Sequence, residues 1–329
     1  MNTELPEGTI IVTGAAGFIG SALVWRLNEL GYEDIVLVDR LGSDERWRNL
    51  VSLRYTDFIH ADEFLETTLS GSVSSVFHLG ACSSTTEKDA DFLLRNNFAY
   101  SKGIASFAQD HRARFVYASS AATYGDGSSG MSDRAERGQT FRPLNMYGYS
   151  KHMFDLWGER HGLLDSAVGI KYFNVFGPNE GHKGDMRSVV AKATAQVRDK
   201  GVINLFKSYR DDYAHGEQQR DFVYVKDAVD MTIHLAATPG ASGLFNVGSG
   251  EAHSWNELAH AVFKALELSP RIEYVEMPEV LRGKYQYFTK ADLTRLRDSG
   301  YSESPWTLED SVGDYVRNYL LPERLLGQS

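Results

Sequence analysis

Ile10-Ile11-Val12-Thr13-Gly14-Ala15-Ala16-Gly17-Phe18-Ile19-Gly20 is the stretch whose reading decides the fold of this chain. A run of β-branched apolar residues ends at three glycines, and an apolar helix-forming segment follows, so the stretch reads as strand, tight turn and helix. Gly14 allows the turn, Gly17 lets the backbone approach a pyrophosphate, and Gly20 lets the helix pack against the strand. The unpaired N–H groups and positive dipole end of that helix then offer an anion site. Glycines serving only as turn residues give the same letters, but here an acid stands at the right distance. Asp39 follows Gly20 by nineteen residues and closes the second predicted strand, where a carboxylate binds ribose hydroxyls. Asp39 alone favours NAD. Arg40 beside it and Arg46 in the next loop offer cations to a 2′-phosphate, so NAD and NADP both stay open on these residues.

Outward from this turn, short apolar runs alternate with helical patterns. Strands are predicted at Thr9–Thr13, Asp34–Val38, Thr56–His60, Ser74–Leu79, Arg114–Ala118 and Ala167–Tyr172, with helices at about Phe18–Leu30, Asp89–Asp110 and Tyr147–His161. Strands joined through helices predict a doubly wound parallel sheet of the Rossmann type. Their continuous Val, Ile and Phe content fits a sheet covered on both faces. The second half is less regular. Gly177–Asp185 and Ser208–Gln219 read as loops, Asp221–Val225 and Leu244–Val247 as strands, and Ser254–Leu266 and Lys290–Ser299 as helices. Gly125–Gly138 is Gly/Ser-rich and reads as a surface loop. The expected architecture is therefore a nucleotide-binding unit over 1–175 plus about 217–242. A smaller, discontinuous α/β lobe over 176–216 and 243–329 would bind substrate in the cleft between them.

Tyr147-Gly148-Tyr149-Ser150-Lys151 holds Tyr-x-x-x-Lys at the start of a predicted helix. Positions i and i+4 share a helix face, so Lys151 can stand beside Tyr147 and favour its phenolate. The pattern is common by chance. Here it follows a strand ending in Ser119-Ser120, whose hydroxyls can hydrogen-bond a reacting oxygen. A dinucleotide sensor without catalysis has no need of such a tuned phenol.

The Gly14–Gly20 turn, Ser119–Gly125, Tyr147–Lys151, Tyr172–Pro178 and Arg220–Val225 together resemble the extended short-chain dehydrogenase/reductase superfamily. Dehydratases of that group carry an acidic pair after the strand-end hydroxyl, and this chain has Ala121-Ala122 there, which points to epimerisation. The strings His78–Glu87, Asn179–Gly184 and Gly283–Thr289 are similar to the ADP-L-glycero-D-manno-heptose 6-epimerase family, over about residues 9 to 315. That resemblance implies an isomerase that uses bound NADP to interconvert two ADP-heptose epimers at C6, supplying the lipopolysaccharide core. It also implies a cytoplasmic homo-oligomer, pentameric in the family. Tyr147 and Lys183 are implied as the two proton-handling groups, with Lys151, Ser119 and Ser120 beside them. The implied cofactor contacts are Gly14, Gly17, Phe18, Ile19, Gly20, Asp39, Arg40, Arg46, Leu79, Gly80, Ala81, Cys82, Ser83, Asn96, Lys151, Val175 and Lys183. The implied substrate contacts are Asn174, Asp185, Lys192, Phe206, Lys207, Ser208, Arg220 and Tyr285, with Arg220 suited to bridging a diphosphate. Asp185 and Lys192 depart from the serine and histidine usual in the family, and the Tyr209–Gln219 segment is longer and more acidic. The alternative is another nucleotide-sugar epimerase or reductase of the same superfamily.

Bulk properties fit this reading. With 34 Lys and Arg against 44 Asp and Glu, the net charge of −10 disfavours nucleic acid and anionic membranes as partners. The single cysteine, Cys82, excludes an internal disulfide and fits a reducing compartment. No apolar run approaches the roughly 18 residues of a membrane span. Residues 1–7 lack the basic and apolar regions of a signal peptide. No His, Cys or acid spacing suggests a metal site.

Overall fold

A computed structural model of the chain describes residues 1–134, 141–282 and 285–328. Gly283 and Lys284 of the Gly283–Thr289 string, and residues 135–138 of the expected surface loop, lie outside the described residues. The strands are β1 (Thr9–Thr13), β2 (Ile35–Asp39), β3 (Asp57–His60), β4 (Val73–His78), β5 (Arg114–Ser120) and β6 (Val168–Tyr172). They continue with β7 (Asn174–Phe176), β8 (Ile203–Phe206), β9 (Gln219–Arg220), β10 (Phe222–Tyr224), β11 (Gly243–Val247), β12 (His253–Ser254) and β13 (Ile272–Val275). A seven-stranded sheet runs in the order β11-β6-β5-β4-β1-β2-β3, and every pairing in it is parallel. The order reverses at β1 and β4. Their carboxyl ends therefore open a crevice, the usual place for a ligand in such a sheet.

Apolar residues face both ways along each strand. Ile10 and Val12 join the larger core cluster, while Ile11 between them joins a second one on the other face. The first cluster is covered by α1 (Phe18–Glu29), and the second by α3 (Tyr100–Asp110) and α4 (Met146–Arg160), while the short α2 (Ala90–Leu93) buries Leu93. Further helices are α5 (Val189–Lys200), α6 (Val225–Ala237), α7 (Trp255–Ala265), α8 (Glu279–Arg282), α9 (Thr294–Asp298) and α10 (Leu308–Tyr315). Residues of α5, α6, α7 and α10 all enter the larger cluster, so the smaller lobe shares its core with the sheet. Among the described residues, no helix is long and apolar enough to cross a membrane.

Several expectations shift on inspection. Gly243–Val247, assigned above to the second lobe, pairs with β6 as an edge strand of the central sheet, so that sheet continues past 242. The helix expected over Asp89–Asp110 is interrupted by a π-helical stretch, Leu94–Ala99. There Asn97 is buried and holds the loop after β4, accepting from Cys82 N at 2.9 Å and donating to Cys82 O at 2.9 Å. The strand expected at Asp221–Val225 is β10, shorter at both ends and separated from β9 by Asp221, whose carboxylate accepts from the N–H groups of Ser249, Gly250 and Ala291. That bond to Ala291 keeps residues 290–293 out of helix, and α9 begins only at Thr294, with Asp292 accepting from its N–H at 3.0 Å.

Candidate active site

A cleft of about 860 Å³ opens where β1, β2, β4 and β5 end. Gly14 has φ +70°, and a Cβ there would lie 2.6 Å from Gly80 N, so the next loop passes too close for any side chain. A Cβ on Gly20 would strike the Gly14 carbonyl. Gly17 is the N-cap of α1 and no side chain caps this helix, which leaves its first N–H groups to an anion. A nicotinamide dinucleotide fits this cradle: its pyrophosphate satisfies donors that the protein leaves unpaired.

Asp39 ends β2 at the cleft, accepting from Ala16 N at 2.8 Å and Arg40 N at 2.7 Å. Burial raises its carboxyl, while those N–H groups and the Arg46 charge oppose the rise. Both neighbouring arginines line the cleft, each held by one acid. Arg40 donates Nε to Asp62 at 2.9 Å and Nη1 to Asn96 Oδ1 at 2.9 Å. Arg46 clasps Asp44 through two hydrogen bonds of 2.8 and 2.7 Å, which holds that carboxyl at about 2. Leu79, Gly80, Ala81, Cys82 and Ser83 form the wall after β4, with Phe18, Ile19 and Val175 elsewhere on the lining.

The reacting end lies where α4 meets β5. Asn145 caps α4 by accepting from Gly148 N at 2.8 Å, which sets Tyr147 and Lys151 on the face toward the cleft. Ser120 and Tyr147 both line the cleft, and the Ser120 hydroxyl favours the ionised form of the phenol. Ser120 Oγ already accepts from Ala122 N at 3.1 Å, so its own proton is free for the phenol oxygen. Burial raises the Tyr147 phenol, and the Ser120 hydroxyl opposes the rise. The lowering expected from Lys151 does not prevail, because the Lys151 ammonium turns to the β5 backbone and donates to Ala118 O at 2.9 Å. Burial brings Lys151 itself down to about 8. Ser119 also borders the cleft but directs its hydroxyl to Asp155 Oδ2 at 2.7 Å, which leaves Ser120 as the serine free to serve the phenol.

Lys183 reaches the same cleft from a short 3₁₀ turn, Gly181–Met186. Its ammonium lies 5.1 Å from the centre of the Phe18 ring. Burial lowers the Lys183 pKa, Glu180 opposes, and Lys192 adds to the lowering. A phenol, a serine hydroxyl and a partly desolvated amine on one cleft with a dinucleotide cradle form a set suited to redox chemistry at an alcohol carbon.

Residues 10–248 match the NAD dependent epimerase/dehydratase family. The chain belongs to that family. Within it, this epimerase is 55% identical over 314 residues to the ADP-L-glycero-D-manno-heptose-6-epimerase of Nitratidesulfovibrio vulgaris strain DP4, covering 94% of this chain and 97% of the relative. It is 44% identical over 327 residues to the enzyme of that name from Fusobacterium nucleatum, covering 95% and 98%. The crystal structure of Helicobacter pylori ADP-L-glycero-D-manno-heptose-6-epimerase superposes with a TM-score of 0.77 at 26% identity, covering 94% of this chain and 95% of that one.

Of the substrate contacts expected in this epimerase, only Asn174 lines the cleft. Arg220 lies behind its Trp255 wall, its guanidinium 5.8 Å from the Trp255 ring and 5.1 Å from Tyr285, with no carboxylate partner among the described residues. Lys207 pairs with Glu276 at 2.7 Å, Ser208 closes a turn onto Arg210, and Phe206 ends β8, all outside the cleft. Asp185 and Lys192 meet at the cleft's outer edge, Lys192 Nζ donating to Asp185 O at 3.3 Å. Sequence reasoning passed over Asp155, which follows Lys151 by four residues on the same helix face and forms a buried pair with Lys171 at 2.7 Å. It also passed over Glu180, although that residue stands within the quoted Asn179–Gly184 string.

Proposed function

We propose that this epimerase inverts C6 of the heptose in ADP-D-glycero-D-manno-heptose, with tightly held NADP as cofactor and Tyr147 and Lys183 as its two proton-handling groups. The observation that carries the reading is that both groups, from separate elements, line one cleft with the dinucleotide cradle. The nicotinamide, when bound, supplies the hydride acceptor and donor. Gly14, Gly17, Asp39, Arg40 and Arg46 would hold its nucleotide portion, the two arginines exchanging Asp62 and Asp44 for the 2′-phosphate.

A carbinol C–H is too weakly acidic for direct proton removal, so inversion runs through a planar ketone. Return of hydride to the opposite face requires the sugar to turn, and its oxygen then faces a different protein group. Tyr147, acting as the phenolate that the Ser120 hydroxyl favours, takes the hydroxyl proton in one orientation and becomes the neutral phenol. Lys183, its ammonium destabilised by burial, supplies the proton in the other. Lys151, on the same cleft and bonded to Ala118 O, would help hold the nicotinamide end of the cofactor. The 44–55% identity to named heptose epimerases supports the choice of sugar, and Arg220 remains the group to answer its diphosphate.

Incubating the purified enzyme with ADP-D-glycero-D-manno-heptose and following the sugar by NMR tests the reading. Formation of the L-glycero epimer is expected. Preferential turnover of a UDP- or GDP-sugar would overturn the substrate assignment.

A further inference from the structure

The turn that carries Lys183 is tied down by one carboxylate. Glu180 is completely buried, three residues before Lys183, and Lys183 N donates to its carbonyl at 3.0 Å. Its Oε2 accepts from Ser188 N at 2.6 Å, and its Oε1 accepts from Ser188 Oγ at 2.5 Å and from the Tyr315 hydroxyl at 3.0 Å. Ser188 is in turn the N-cap of α5, accepting from Ala191 N at 3.2 Å. A buried charge is tolerated only when such donors replace its water. The result is a clasp: the turn bearing Lys183 is fixed at one end to the start of α5 and at the side to α10.

We propose that Glu180 is the positioning residue for Lys183, fixing its turn against α5 and α10 and placing a buried carboxylate in the same turn as the amine. The proposal rests on Lys183 acting in proton transfer. The other charges facing Lys183 do not offer that service. Lys192 on α5 repels it, and His182 beside it is held neutral by burial, its pKa brought down to about 4. The acid on the neighbouring 45–50 turn, Asp44, is already claimed by Arg46, Asp185 is exposed, and Arg187, a cation that also lines the cleft, donates Nε to Gly184 O at 3.0 Å. Glu180 is the acid whose charge acts on the Lys183 ammonium.

Glu180→Gln keeps the size and an acceptor for Ser188 while deleting the charge. The limb of the kcat/KM pH profile governed by residue 183 is expected to move to lower pH by about one unit, the scale on which a nearby charge moves a titrating group. A role confined to stability would lower the melting temperature and leave that limb in place, which would overturn the proposal. Tyr315→Phe carries the anchoring half and the case in which the glutamine variant does not fold. Tyr315 is outside the cleft, and loss of its bond to Glu180 is expected to lower kcat several-fold with KM nearly unchanged. A wild-type kcat would overturn the proposal as well. Lys183→Met is run alongside. If it keeps the wild-type rate, the proton-transfer reading itself fails. If it abolishes turnover while Glu180→Gln and Tyr315→Phe do nothing, only the role of Glu180 fails.

Discussion

Lys171→Met offers the most quantitative test of how the floor of the active site is built. Lys171 Nζ lies 2.7 Å from Asp155 Oδ2, with exposures of 1% and 4% for the two side chains. It also donates to Thr123 Oγ1 at 2.6 Å, while Asp155 accepts from Tyr117 OH at 3.0 Å and Ser119 Oγ at 2.7 Å. At an effective dielectric of about 20 the attraction across that distance is ~6 kcal/mol, comparable to the several kcal/mol it costs to bury the two ions. Removal of the lysine deletes the attraction and leaves the carboxylate buried with only two neutral donors. The expected loss is about 3–5 kcal/mol. Urea titration should show it as a lower midpoint at unchanged slope. Asp155→Asn in the same chain removes the stranded charge, so the double variant should recover a substantial part of the loss. A single-variant loss below about 1 kcal/mol, or a double variant no better than the sum of the two singles, would refute the reasoning. Because Asp155 also anchors Ser119 and faces Lys151 along α4, the single variant should lose activity before it loses fold.

Tyr147→Phe is expected to lower kcat by about 10²–10⁴ while the protein still binds cofactor, the usual worth of a positioned acid–base group; an unchanged kcat would remove Tyr147 from the chemistry. Arg46→Ala should weaken NADP binding roughly tenfold or more, as loss of a charged hydrogen bond does, and NAD binding much less. Titration calorimetry with both dinucleotides decides it, and equal losses would exclude contact with a 2′-phosphate. His78 is buried between Thr13 Oγ1 at 2.7 Å and Ser101 Oγ at 2.8 Å, and burial lowers its pKa to about 3. Between that value and the ordinary ~6.5, the unfolded chain holds a proton that the native one refuses, so stability rises with pH through this window and falls as acid is added, by up to ~1.4 kcal/mol per unit. His78→Gln should flatten the slope by about one proton; an unchanged slope would show that His78 is protonated in place.

What could be read in the letters was local. The glycine turn, Asp39 and Tyr-x-x-x-Lys each lie within one strand–turn–helix or helix face, where spacing alone dictates direction. Apolar runs marked the six strands from β1 to β6, most of them buried on both faces, although exposed Asp57 and His60 leave β3 half open at the sheet edge. Less was legible where distant segments decide. β11 is a short run like many others, and only its pairing with β6 makes it part of the central sheet. The π-helical stretch exists because Asn97 must reach the Cys82 backbone, a demand invisible in helical periodicity. Arg220 reads as a diphosphate clamp, yet its position is set by Trp255 and Tyr285 from other parts of the chain. Asp155 was the missed opportunity: its spacing of eight from Tyr147 places it on the same face, and a buried lysine at 171 in a strand otherwise apolar was a sign that it needed an acid.

Asn179 binds Ser21 through Nδ2 at 3.0 Å, receives Asn49 Nδ2 at its carbonyl at 3.1 Å, and accepts from Leu326 N at 2.9 Å. The segment that presents Lys183 is thus moored to residues drawn from both extremities of the polypeptide. Disturbing the packing around Ser21, Asn49 or Leu326 would therefore reach the amine at the cleft through Asn179, without any change in the groups that line it.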